Sequence, residues 1–379
     1  VDARCVDVDR AQDVEGGLAR SESAEGEPSR DGLAAATAHP RIVSDLDQRK
    51  RAHALLQSQV RSTRSTRVPR AQGPRTIGAP MLGHVVFASH PLDPKQVDPS
   101  FEAEWSAARE AGMTTCLLDS AALDAGAFDR ATRRVPSLDA PVDAVFRGWM
   151  MRPEEYGAMR SALAARGVRL VNDEAQYRRT HYLPEWYAKL RAHTPASVWT
   201  TTGARFELDE VLAMLEPFGD SPLILKDYVK SQKHRWDEAC FIRSARDADA
   251  VRRVTTRFIE LQGAQLVGGL VFREFVSLEP LAVHSKSKMP LTREFRVFVR
   301  DGRPWLSAPY WEEGDYRDEA IASELFASEC ATIDSNFFTM DVARRTDGRW
   351  IIMELGDAQV AGLPEALAPE RFYRALASG

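Results

Sequence analysis

From Met81 onward the apolar positions follow two different periods. Short apolar runs, "HVVFASH", "TTCLLDS", "DAVFRGW" and "VRLVN", are separated by stretches with helical spacing, "PSFEAEWSAAREAG" and "PEEYGAMRSALAARG". Strands alternating with amphipathic helices predict a small α/β domain with a largely parallel sheet, over residues 81–195. A helical pattern from Asp173 to His193 contains Pro184, which has no amide to donate, so a break or kink is expected there. "HTPASVWTTT" then marks a boundary ahead of a new strand.

Beyond the boundary two helical patterns, "FELDEVLAMLEPFG" and "DADAVRRVTTRFIELQG", stand among longer strands. In the second, Val251, Val254, Phe258 and Leu261 recur at helical spacing, Asp247 can cap the start and Gly263 follows the end. The strands "GGLVFREFV", "TREFRVFVRDGRPWLS" and "NFFTMDVARRTDGRWIIMELGDA" predict an antiparallel, α+β domain over residues 196–379.

Residues 1–80 fit neither pattern. All 16 Phe, 8 Trp, 8 Tyr and 9 Met lie at or after Met81, so this segment has too little large apolar surface to offset the entropy of ordering it. It is read as a disordered arm, or as residues upstream of a true start at Met81. It holds no apolar run that could serve as a signal peptide or membrane span.

A net charge of -5 gives no general affinity for nucleic acid or anionic membrane. Cys5, Cys116, Cys240 and Cys330 are far apart and form no CxxC pair, which fits reduced thiols in a cytoplasmic protein.

The last hairpin carries the first chemical signal. Asp347-Gly348 reads as a two-residue turn that sets Thr346 opposite Arg349 and hence Asp341 opposite Glu354. Phe338, Met340, Val342, Ile351, Met353 and Leu355 then share an apolar face. Two opposed carboxylates repel unless a cation lies between them or one is protonated. An oxygen-only pair points to Mg²⁺, with Asp357 as a third oxygen. The alternative is a pair of surface acids bridged to Arg344 or Arg345.

A second signal is "LILKDYVKSQKHRW". Read as an extended run, it puts Lys226, Tyr228 and Lys230 on one face, with Leu223, Leu225 and Val229 on the other. A bend after Tyr228 would bring Lys230, Lys233 and His234 over a polyphosphate that Lys226 touches from the strand. The alternative is a solvated lysine face. In "TREFRVFV", Phe295, Val297 and Val299 fill a core face, and Arg296 points the other way, placed to steady a transferring phosphoryl group or to form an ion pair.

Taken in order, "LILKDYVKS", "VFREFV", "REFRVFV", "FTMDVA" and "IIMELGDAQ" resemble the ATP-grasp superfamily over roughly residues 170–365. The resemblance implies a small α/β pre-ATP-grasp domain followed by an ATP-grasp fold with antiparallel sheets. It implies that Lys226 binds ATP phosphates and that Arg296 lies near the γ-phosphate. By the same resemblance the backbone of Glu274, Phe275 and Val276 holds adenine, Glu279 meets the ribose, and Asp341 and Glu354 hold magnesium. Arg178 or Arg179 is the closest counterpart of the family's other phosphate lysine. Two departures stand out: "KSQKHRWDEA" has no glycine where such loops are often glycine-rich, and Glu354 is followed two residues on by Gly356 instead of Asn.

The implied activity is an ATP- and Mg²⁺-dependent ligase. It activates a carboxylate as an acyl phosphate for attack by an amine, with small-molecule or peptide substrates. The alternatives are a non-catalytic nucleotide-binding module and a nucleic-acid-type nucleotidyltransferase; "KDYV" lacks the K-x-D-G pattern of the latter. The loop "LEPLAVHSKSKMPLT", with His284, Lys286 and Lys288, is a candidate for substrate contact.

Overall fold

The computed structural model describes residues 82–285, 290–316 and 325–378. The segment read as an arm, and Lys286 and Lys288, lie outside the described residues. Among the described residues no helix is long and apolar enough to cross a membrane.

Strands β1 (His84–Ala88), β2 (Thr114–Leu118), β3 (Val142–Arg147) and β4 (Val168–Leu170) form a parallel sheet in the order β2-β1-β3-β4. Because side chains alternate along a strand, Val85, Phe87 and Val145 serve one core while Val86, Ala144 and Phe146 serve another. Tyr156, Met159 and Leu163 of the helix Pro153–Ala164 cover the second. The first is closed by Phe372, Tyr373 and Leu376 of the C-terminal helix Pro369–Ser378, which packs back onto the opening strands. The expected break at Pro184 is present: one helix ends at His181, and a second, Leu183–Leu190, carries Pro184 in its first turn.

A second, antiparallel sheet comprises β5 (Ser197–Trp199), β6 (Leu223–Lys226), β7 (Phe241–Ile242) and β8 (Val271–Glu274), ordered β5-β8-β6-β7. Val198, Leu223, Leu225 and Phe272 on one face pack against the helices Leu208–Leu215 and Ala248–Gln262. Asp247 caps the latter by accepting the Ala250 amide at 2.9 Å, and Gly263 ends it at φ +48°. Strands β9 (Pro280–Val283) and β10 (Pro290–Thr292) form a separate hairpin.

The third sheet holds β11 (Glu294–Arg300), β12 (Arg303–Pro309), β13 (Phe337–Arg344) and β14 (Trp350–Asp357), ordered β12-β11-β13-β14 and antiparallel. Phe295, Val297, Val299, Phe338, Met340, Val342 and Leu355 join Trp186 and Leu190 of the helix Leu183–Leu190 and Val271 of β8 in one core. Each fully buried aromatic or aliphatic side chain there contributes about 1.5–3 kcal/mol.

The β13–β14 hairpin corrects the sequence reading in one respect. Arg345 donates its amide to Arg349 O at 2.8 Å and Gly348 donates to Arg345 O at 2.9 Å, so the turn has three residues, with Gly348 at φ +83°. This shifts the pairing to Arg344↔Trp350 and Val342↔Ile352. A bulge at Met353 then restores Asp341↔Glu354. The two departures cancel at the carboxylates. Their visible trace is that Ile352, instead of Ile351 and Met353, enters the central core, while those two pack with Val276, Leu278 and Ala343.

Candidate functional site

Strand β6 ends at Lys226 because Asp227 takes over the backbone. Its Oδ1 accepts the amides of Val229 and Lys230 at 2.7 and 2.6 Å, its Oδ2 accepts Val267 N and Gln262 Nε2 at 3.0 Å, and its own amide donates to Lys230 O. The chain therefore turns one residue after Lys226, and Ser231 bridges back to it. The extended run expected through Lys230 is thus absent: the bend precedes Tyr228 because a buried carboxylate must satisfy four donors. Burial raises the Asp227 pKa despite the backbone amides and Lys226, which favour the charged form.

Lys226 is buried, and its Nζ lies 2.5 Å from Glu354 Oε1 on β14. On β11, Arg296 grips Asp341 with two parallel hydrogen bonds, Nε to Oδ1 at 2.8 Å and Nη2 to Oδ2 at 2.7 Å. A third bond runs from Arg296 Nη1 to Gly362 O at 2.8 Å, and the Tyr310 ring lies 5.1 Å from the guanidinium carbon. Both carboxylates of the opposed pair thus carry a cation, and neither cation is Arg344 or Arg345. Arg344 pairs with Glu279, and Arg345 with Asp347.

Asp357, the third oxygen expected for a metal, is removed from this group. It is fully buried, accepts Asn172 Nδ2 at 2.6 Å and the Gln359 amide at 2.9 Å, and lies on the opposite strand face from Glu354. Burial pushes its pKa up to about 6, against those hydrogen bonds and Arg147. Among the described residues no cluster of three or more His, Cys, Asp or Glu could hold a metal. Asp341 and Glu354 remain as an oxygen-only pair, which fits a Mg²⁺ completed by phosphate oxygens and water.

The cations expected over a polyphosphate divide. Lys230 and His234 are exposed, Lys233 half-buried, and the glycine-free loop winds into two short irregular helices, Lys233–Arg235 and Trp236–Cys240. Burial raises the Cys240 thiol to about 12, while the charges of Lys233 and Lys226 act to lower it. The amides of Glu274 and Phe275 are engaged by Ala196 O and Pro222 O at 2.8 and 2.9 Å. Glu279 lies between Arg293 at 3.0 Å and Arg344 at 3.3 Å. Arg178 pairs with Glu185, and Arg179 with Asp334, so neither is brought to Lys226. His284 lies 3.9 Å from Glu313.

Three features escaped sequence reasoning. Arg273 shares a sheet face with Lys226, since Val271 pairs with Lys226 and Arg273 is two residues on. It is buried, donates from Nη2 to Thr194 Oγ1 at 2.7 Å, and its Nε has no partner among the described residues. Burial lowers its pKa to about 10, opposed by Glu354 and Tyr187. His181 is buried with Nδ1 3.0 Å from Tyr177 O; burial lowers its pKa to about 4, the Tyr177 carbonyl and Glu354 oppose this, and Lys230 adds to it. Finally, Phe241 pairs with Ile224 on the Lys226 face, stacks on Trp236 at 5.2 Å and meets Phe275 edge-on at 5.3 Å. Alternation along "LILK" and "VFREF" could have exposed Arg273. Nothing local links Trp236 to Phe275.

Residues 217–376 match a family model described as an ATP-grasp domain, family 3 of its clade. No curated protein matches the chain by sequence. Among solved structures, the N5-carboxyaminoimidazole synthase from Aspergillus clavatus, in complex with ADP and 5-aminoimidazole ribonucleotide, superposes with a TM-score of 0.50. The identity is 12%, covering 78% of this chain and 77% of that one, and the likeness is one of fold. D-cycloserine synthetase DcsG gives 0.48 at 15% identity over 78% and 99% of the two chains. The RimK domain protein ATP-grasp from Sphaerobacter thermophilus gives 0.48 at 16% over 78% and 96%.

Proposed function

Because residues 217–376 match an ATP-grasp domain, we propose that the chain is an ATP- and Mg²⁺-dependent ligase that joins a carboxylate to an amine through an acyl phosphate. One observation carries this reading. Asp341 and Glu354 stand opposed on β13 and β14, and each faces a cation, Arg296 or Lys226, that a triphosphate would claim.

In this reading residues 196–379 hold the nucleotide and residues 81–195 form the preceding α/β domain. Lys226 binds phosphate oxygens from the end of β6, with Lys230, Lys233 and His234 as a side-chain lid. The Glu274–Val276 segment meets adenine. Because the Glu274 and Phe275 amides are engaged elsewhere, the base would use Val276 N or the segment's carbonyls, stacking on the aromatic group of Phe241, Trp236 and Phe275. Glu279 would release Arg293 or Arg344 to meet a ribose hydroxyl.

Asp341 and Glu354 would hold Mg²⁺, which when bound neutralises charge on the phosphate oxygens. The substrate carboxylate oxygen attacks the γ-phosphorus and the bond to the β,γ-bridging oxygen breaks, leaving ADP. Arg296, held by Gly362 O once Asp341 serves the metal, steadies the charge on the transferring group. The amine nitrogen then attacks the acyl carbon, the carbon–oxygen bond to phosphate breaks, and the nitrogen gives its proton to solvent. No protein nucleophile is needed; positioning supplies most of the rate. Free Cys116, Cys240 and Cys330 fit a reducing compartment, which we take to be the cytoplasm.

The test is ADP release from Mg·ATP in the presence of amino acids and dipeptides. Turnover with one acid and amine pair, abolished by Asp341→Asn, is expected. Tight ATP binding without turnover on any acceptor would favour a non-catalytic nucleotide-binding module.

A further inference from the structure

Arg147, at the end of β3, is a long way in sequence from the site and fully buried. Its Nε and Nη2 engage the two oxygens of Glu104 at 2.8 and 2.9 Å, and Glu104 also accepts the Tyr373 hydroxyl at 2.7 Å. Its remaining nitrogen, Nη1, donates to three carbonyls at once, Ala358 O at 2.9 Å, Gln359 O at 3.1 Å and Ala361 O at 2.9 Å. Those carbonyls belong to the segment that leaves β14. One planar, permanently charged fork therefore curls that segment into a cup, which a point-charged ammonium could not do with the same geometry.

The cup ends at Ala361, and the next carbonyl, Gly362 O, accepts Arg296 Nη1 at 2.8 Å. Two of the anchors of Arg296 differ in kind: Asp341, which a metal would claim, and Gly362 O, which it would not. If Asp341 turned to a metal, Gly362 O would remain as a fixed point that aims the guanidinium, and Arg147 holds the carbonyls that lead up to it, as far as Ala361. We infer that Arg147 is a positioning residue for Arg296, setting the response of the site to the γ-phosphate through the carbonyl cup of residues 358–361. This rests on the γ-phosphate role proposed for Arg296.

The test compares the affinities of the non-hydrolysable analogue AMPPNP and of ADP, each with Mg²⁺, by calorimetry on the full chain. In the wild type AMPPNP is expected to bind more tightly than ADP, and Arg296→Lys to erase that ratio. Arg147→Lys should lower the ratio roughly tenfold, the loss expected for one misdirected charge-assisted hydrogen bond, while ADP affinity stays near wild type. Tyr373→Phe, which removes the hydroxyl bond that steadies Glu104 and so loosens its grip on the Arg147 fork, should lower it in the same direction and serves if Arg147→Lys does not fold. Met159→Ala, a core change in the helix Pro153–Ala164, controls for destabilisation alone and should keep the ratio. Arg147→Lys with the ratio intact, or Tyr373→Phe with the ratio intact where Arg147→Lys does not fold, overturns the inference while the nucleotide reading stands. A wild type that binds ADP and AMPPNP equally overturns the role of Arg296 and the inference with it. A wild type that binds neither overturns the nucleotide reading.

Discussion

The Nζ of Lys226 lies 2.5 Å from Oε1 of Glu354, joining the end of β6 to the edge strand β14. The same pattern recurs on β11 and β13, where Arg296 holds Asp341. Without ligand, the cations proposed for phosphate and the carboxylates proposed for metal neutralise each other. This is why two opposed acids are tolerated on neighbouring strands.

Glu354→Gln leaves Lys226, 7% exposed, without its counter-charge. Removing one partner of a buried pair costs about 3–5 kcal/mol, and solvent at the half-buried Glu354 reduces this to the lower end. A thermal melt should show the loss, and Mg²⁺ should no longer strengthen ADP binding. A melting temperature equal to wild type would mean that the pair does not form in solution.

Lys226→Met replaces the cation with an apolar side chain of similar length. ADP affinity should fall by roughly tenfold or more, the scale of a lost charge-assisted hydrogen bond. Unchanged affinity by calorimetry would remove Lys226 from the phosphate site.

Stability against pH should show two opposing slopes. His181 is lowered to about 4, so the unfolded state binds more protons between about pH 4 and 6.5, and stability rises with pH across that window. Asp357 is raised to about 6, so the folded state holds more protons between about pH 4 and 6. Its contribution is fully present below pH 4 and is lost as pH rises through 6. Each term is on the order of 3 kcal/mol. His181→Gln should unmask the fall, and Asp357→Asn should unmask the rise, in urea titrations at pH 4.5 and 7. Two variants with the same slope as wild type would contradict both assignments.

Trp236 offers an optical check on the adenine position. ADP should change its fluorescence, and Phe241→Ala should weaken ADP binding by about tenfold, as expected for one lost stacking partner. A silent Trp236 and an unaffected affinity would move the base elsewhere.

Much of this is legible in the chain because it depends on short-range pattern. The parallel sheet, the break at Pro184, the Asp247 cap and the core face of Phe295, Val297 and Val299 all follow from period and capping chemistry. The Asp341↔Glu354 pairing also follows, but through a two-residue turn, and it survives only because the Met353 bulge offsets the longer turn. What could not be read depends on distant partners. Asp227 bends the chain after Lys226 by reaching Gln262 and Val267, Asp357 is claimed by Asn172, and Arg147 reaches the cup beyond β14. Spacing carries no trace of such contacts.

The most direct measurement is calorimetric titration of ADP into the wild type and into Glu354→Gln, with and without Mg²⁺. Mg²⁺ is expected to strengthen ADP binding to the wild type, because metal and phosphates together replace the partners that Lys226 and Glu354 give up, and the variant is expected to lose this gain. ADP binding indifferent to Mg²⁺ in both proteins would contradict the proposed metal and phosphate site.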